Sequence, residues 1–132
     1  MRIYLTHCCA SKNEQLKGTD IRVTPDKLYT SSRTQKFMNT CKETKVNWAI
    51  LSDKYGIWFP NIKHMWYEKH PKTVTESELE ALVKDFEQKL EQYDEIYFYY
   101  HPGRFHKLYK RLLESVRPKG RVIPFIHLAQ IE

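Results

Sequence analysis

No apolar run in these 132 residues is long enough to cross a bilayer, and Met1-Arg2 passes directly into a strand pattern with no hydrophobic leader block. These absences predict a cytoplasmic protein with no membrane partner. Cysteine is scarce: three residues, of which Cys8 and Cys9 are neighbours, make a poor disulfide framework and suit a reducing compartment. Nor do Cys8, Cys9, Cys41 and the six histidines show the paired spacing of a structural zinc site, so no metal and no cofactor is expected. There is no internal repeat and no low-complexity segment. The basic residues are dispersed and form no compact tract of the nucleic-acid-tail kind.

What is present suits one folded unit. Hydrophobic residues make up 41% of the chain, enough for a core, and the length predicts a single α/β domain over residues 1–132. Lys and Arg number 22 against 16 Asp and Glu, a formal charge of +6 that attracts phosphates and polyanions. A merely solvated basic surface has the same composition.

Residues 2–7 read as a strand, and a polar stretch then runs through Lys17-Gly18-Thr19-Asp20 to Pro25. Ser32 begins a helix with Gln35 at capping-box spacing and Phe37, Met38 and Cys41 on one face. Residues 46–52 are apolar without alternation, as in a strand covered on both faces, and Tyr55-Gly56 ends it. Residues 57–73 form an aromatic-rich loop without a period, suited to lying over the sheet edge. Thr75 and Glu78 form a second capping box ahead of Leu79, Leu82, Val83, Phe86 and Leu90. Ile96 to Tyr100 make the third strand, Pro102 fits the first turn of another helix, and Pro118-Lys119-Gly120 leads into a fourth strand over 122–127. Strands separated by helices predict a three-layer sandwich with a four-stranded, mainly parallel sheet in the order 2-1-3-4.

Three of these strands stop at chemically capable residues: Thr6-His7-Cys8-Cys9, Ser52-Asp53-Lys54-Tyr55-Gly56 and Tyr100-His101-Pro102-Gly103-Arg104. In a parallel sheet their carboxyl ends share one edge, where ligands bind. Cys8 or Cys9, near Lys12, is a candidate nucleophile, or else a small residue packed at the sheet end. Asp53 is the preferred acid or base, with a turn-capping role as the alternative, and His101 is a further candidate. A helix beginning near Pro102 would offer free N–H groups, Gly103 would admit close approach, and Arg104 would fork onto an anionic oxygen. Helix starts of this kind also occur without ligands. Tyr29, Ser31, Tyr55 and Gly56 are read as lining a base or sugar pocket, where rings stack on nucleobases, although such rings are more often core.

Cys9-Ala10-Ser11-Lys12, Leu28-Tyr29-Thr30-Ser31-Ser32 and Ile50-Leu51-Ser52-Asp53-Lys54-Tyr55-Gly56 resemble a pattern of small prokaryotic α/β proteins shared with the YaaA peroxide-stress proteins. The resemblance covers about the first half of the chain. It implies a fold similar to uracil-DNA glycosylases and a nucleobase or nucleic-acid substrate. His101-Pro102-Gly103 is similar to the His-Pro-Ser loop of those enzymes. Their first-strand motif with the water-activating residue is replaced here by Thr6-His7-Cys8-Cys9, so base excision is not implied. The resulting expectation is a phosphate-bearing ligand, nucleotide or nucleic acid, at the carboxyl edge, contacted by Arg104, Lys12 and the turn after His101. The alternative is a non-catalytic interaction or assembly module that exposes the aromatic loop 57–73.

Overall fold

Short aliphatic and aromatic runs alternate with amphipathic segments along this chain, and parallel pairing follows because a connection long enough to hold a helix returns the next strand in the same direction. The computed structural model describes residues 1–132. In chain order it contains β1 (Arg2–His7), β2 (Arg22–Val23), the single-turn α1 (Pro25–Leu28), α2 (Ser32–Thr44), β3 (Trp48–Ser52), β4 (Gly56–Trp58) and β5 (His64–Met65). These are followed by α3 (Glu76–Lys89), β6 (Glu95–Tyr99), α4 (Lys107–Ser115) and β7 (Arg121–Phe125).

The main sheet has five strands in the order β4-β3-β1-β6-β7, so the four-stranded expectation is one strand short. β4 is the addition. It pairs antiparallel with β3, while the other neighbours are parallel. Gly56 does not end the segment; at φ 72 it turns the chain so that Ile57 and Trp58 return along Leu51 and Ile50. β2 and β5 form a separate two-stranded ribbon.

Alternation along β1 sends Ile3, Leu5 and His7 to one face and Tyr4 and Thr6 to the other. α2 covers the second face: Phe37 stacks on Tyr99 with centroids 5.8 Å apart and meets Trp48 edge-on at 6.5 Å. α4 covers the first, where Tyr109 stacks on His7 at 4.8 Å, and α3 packs against β4 and α4. Helices thus lie on both sides of the sheet. The buried apolar residues form one cluster that includes Ile3 and Ile131. No helix is long and apolar enough to cross a membrane.

Local chemistry fixes the helix starts. The Thr75–Glu78 box is present, with Glu78 N donating to Thr75 Oγ1 at 3.2 Å and Thr75 N to Glu78 Oε1 at 2.9 Å. α2 is capped by Ser31, whose Oγ accepts from Thr34 N at 3.2 Å. Gln35 closes no box there, because its amide donates to the carbonyls of Asp26 and Tyr29 at 2.8 and 2.6 Å. The helix placed at Pro102 begins instead at Lys107, capped by His106. Pro102–Arg104 makes only a 3-10 turn, and Phe105 then extends to pack against His7, Phe98 and Tyr100.

Within residues 57–73, Trp58 and Tyr67 fold inward while residues 61–63 are exposed. Trp58 is fully buried and donates to the Ile62 carbonyl at 2.8 Å, and Tyr67 is buried beneath the strand ends.

Candidate anion-binding site

The carboxyl ends of β1, β3 and β6 meet at one edge, and two adjoining openings lie there. The larger is a cleft of about 740 Å³ lined by the N-terminal turn of α2 together with Tyr99, His101 and Arg104. The smaller is a chamber of about 210 Å³ lined by Cys8, Lys12, Asp53, Lys69, His70, His106 and Tyr109. His7, Cys9 and Ala10 border both, so the exit of β1 forms the wall between them.

The cleft is cationic. Arg33, Lys36 and Arg104 line it, and none of its lining residues is Asp or Glu. Arg33 is half-buried, its guanidinium lies 4.6 Å over the Tyr99 ring, and its Nε and Nη2 are buried without a hydrogen-bond partner. Burial lowers its pKa below the usual guanidinium value, and the nearby positive Arg104 adds to the effect. Sequence reading passed over Arg33. The signal was its place two residues after Ser31, where a helix exposes N–H groups that have no partner within the helix.

The turn after His101 differs from the expected anion seat. Gly103 N donates to His101 Nδ1 at 3.1 Å and Arg104 N to the His101 carbonyl at 2.9 Å, so both amides are already engaged. The Arg104 side chain is exposed and borders the cleft, as does His101. His70 and His106 make the same kind of turn, accepting at Nδ1 from Lys72 N at 3.2 Å and Leu108 N at 3.0 Å.

Beneath the chamber is a polar network. Cys8 Sγ donates to Asp53 Oδ1 at 3.5 Å and lies 3.0 Å from the Tyr109 hydroxyl. Ser52 Oγ donates to the Tyr67 hydroxyl at 3.1 Å, which is 2.6 Å from that of Tyr29. Burial and the adjacent Asp53 push the Cys8 thiol up to about 12, so Cys8, one of the two thiols expected as a nucleophile, is held protonated. Cys9 is half-buried and donates to the Ser11 carbonyl at 3.2 Å. Asp53 is 3% exposed, and burial raises its pKa against the opposing effect of the Cys8 hydrogen bond and of Lys12. His7 Nδ1 lies 2.8 Å from the Cys8 carbonyl, which makes it the donor and leaves Nε2 as a buried lone pair without a partner. Burial draws the His7 pKa down to about 4.

A family model matches residues 3–127, described as a family of unknown function, DUF6884. The chain belongs to the DUF6884 family. Comparison with curated proteins and with solved structures gives no match. The DUF6884 match extends from β1 past β7 and includes every residue of the chamber.

In this DUF6884 chain three expected ligand contacts lie elsewhere. Tyr29 is fully buried, bonded to Tyr67 and edge-on to Trp58 at 5.6 Å, so it is core and not a pocket wall. Tyr55 stacks on His64 at 3.9 Å and donates to the Met65 carbonyl at 3.1 Å, away from both openings. Gly56 serves the hairpin: Asp85 Oδ2 accepts from Ile57 N at 2.7 Å, and a side chain at position 56 would overlap that carboxylate. Of the remaining expected residues, Ser31, His101 and Arg104 border the cleft and Lys12 the chamber.

Proposed function

We propose that the protein binds a phosphate-bearing ligand, a nucleotide or nucleic acid, in the cleft at the carboxyl edge of the sheet. The observation that carries this reading is a half-buried Arg33 beside Arg104 and Lys36 in a cleft lined by no carboxylate. A guanidinium drawn out of water without a counter-charge is unfavourable, and an entering anion offsets that cost through charge-assisted hydrogen bonds. Its volume lies within the roughly 300–1,000 Å³ usual for small-molecule sites. The formal charge of +6 favours encounter with anions. The nucleotide class rests on the resemblance of the motifs around Cys9–Lys12, Leu28–Ser32 and Ile50–Gly56 to those of YaaA-like proteins. The interaction-module alternative requires an outward aromatic patch from the loop over 57–73, and Trp58 and Tyr67 are buried.

The test is binding of a labelled single-stranded oligonucleotide and of ADP to the wild type, Arg33→Ala and Arg104→Ala across a salt series. Each variant is expected to lose about tenfold in affinity, with the oligonucleotide salt slope reduced by about one per contact removed. Unchanged affinity and slope in both variants would overturn the reading.

A further inference from the structure

We propose that the chamber receives an uncharged N–H donor group of the same phosphate-bearing ligand, with the Asp53 carboxylate as its acceptor. This rests on the cleft reading above and adds a second recognition point to it.

Asp53 is 3% exposed and borders the chamber; the Cys8 thiol, a weak donor, reaches its Oδ1 at 3.5 Å, and the Tyr67 hydroxyl also acts on the carboxylate. An ionised carboxylate accepts at about four positions, so acceptor capacity remains for an entering donor. Neither neighbouring lysine forms an ion pair with it, although Lys12 is close enough to act on its charge. Lys12 Nζ lies 4.6 Å over the Tyr67 ring, and Lys69 pairs with Glu78 at 3.1 Å. With these two positive charges and the rings of His70 and His106 around the chamber, a neutral amino or amide N–H matches Asp53 better than an ammonium does. At about 210 Å³ the chamber has room for several waters' volume, at about 30 Å³ each. His7, Cys9 and Ala10 separate the two openings as a shared rim, so a molecule laid across that rim can place its phosphate in the cationic cleft and its N–H donor in the chamber. The ligand class is therefore a phosphorylated compound carrying a neutral N–H donor.

The probes are adenosine and cytidine 5′-monophosphates, each compared calorimetrically with its analogue lacking the amino group. In the wild type at pH 8 the amino compound of at least one pair is expected to bind tenfold or more tightly than its analogue. Asp53→Leu is expected to abolish that preference and leave inorganic phosphate competition intact. Equal binding within both pairs, or a preference that survives in Asp53→Leu, overturns the chamber inference while the cleft reading stands. If phosphate does not compete and Arg33→Ala with Arg104→Ala weakens no compound, the cleft reading falls, and this inference with it. Should Asp53→Leu fail to fold, Asp53→Ala takes its place, and a preference for the amino compound that survives in it overturns the proposal.

Discussion

His7 and Asp53 sit on neighbouring strand ends and respond to acid in opposite directions. His7 has an ordinary value of 6.5 and a folded value of about 4, so the folded state binds fewer protons than the unfolded one between those limits. Its contribution is fully present above 6.5 and is lost as pH falls toward 4, on the order of 3 kcal/mol in all. Asp53 is raised, so its burial weighs against folding at neutral pH, and this penalty shrinks as acid protonates it. Denaturant unfolding at pH 7 and pH 4.5 is expected to show a steep loss in the wild type and a shallower one in His7→Gln. Asp53→Asn is expected to be more stable than the wild type at pH 7, by a margin that narrows at pH 4.5. A wild-type slope unchanged by His7→Gln would remove His7 as its source. Strand-end reasoning put Cys8, Cys9, Asp53 and His101 along one edge, because parallel strands share their carboxyl ends. It did not show that Cys8 is sealed and Cys9 half-open, since depth at a strand exit depends on what later segments cover it.

Gly56 shows how an element is held by one distant side chain. Its φ of 72 is the left-handed region that disfavours side chains, and Asp85 of α3 occupies the space where a Cβ would stand while also pairing with Lys89 at 2.8 Å. Gly56→Ala is expected to destabilise by about 1–3 kcal/mol, through backbone strain and displacement of Asp85 from Ile57 N. Equilibrium urea unfolding measures it, and a change below 0.5 kcal/mol would refute the pinning role. Helix α3 was legible because Thr75, Glu78 and a sustained apolar face all agree. β4 was not, since three residues are too few to show a period. The start of α4 was misplaced because Pro102 suits a 3-10 turn as well as a helix, and only the packing of Phe105 distinguishes them.

For the molecule as a whole, sequence periodicity carried the alternation of strand and helix and the sharing of one edge by β1, β3 and β6. It did not show that this edge is divided into a cationic cleft and a smaller polar chamber, because that division depends on the parity of His7, Cys8 and Cys9 at the exit of β1. The inward fold of Trp58 and Tyr67 also depends on tertiary packing. Trp58 is fully buried against Tyr29 and Tyr55, so Trp58→Ala is expected to cost about 3–5 kcal/mol and to lower the thermal midpoint of the whole domain in one transition. A separate early transition confined to the loop would show instead that it folds independently. At the rim, His70, His101 and His106 each accept a backbone N–H at Nδ1. Such acceptance selects the imidazole tautomer with hydrogen on Nε2, and an imidazolium cannot reproduce it. Each ring thereby closes its own turn through one nitrogen and keeps an Nε2–H donor on the other, so the frame around the two openings and a set of neutral donors come from the same three side chains.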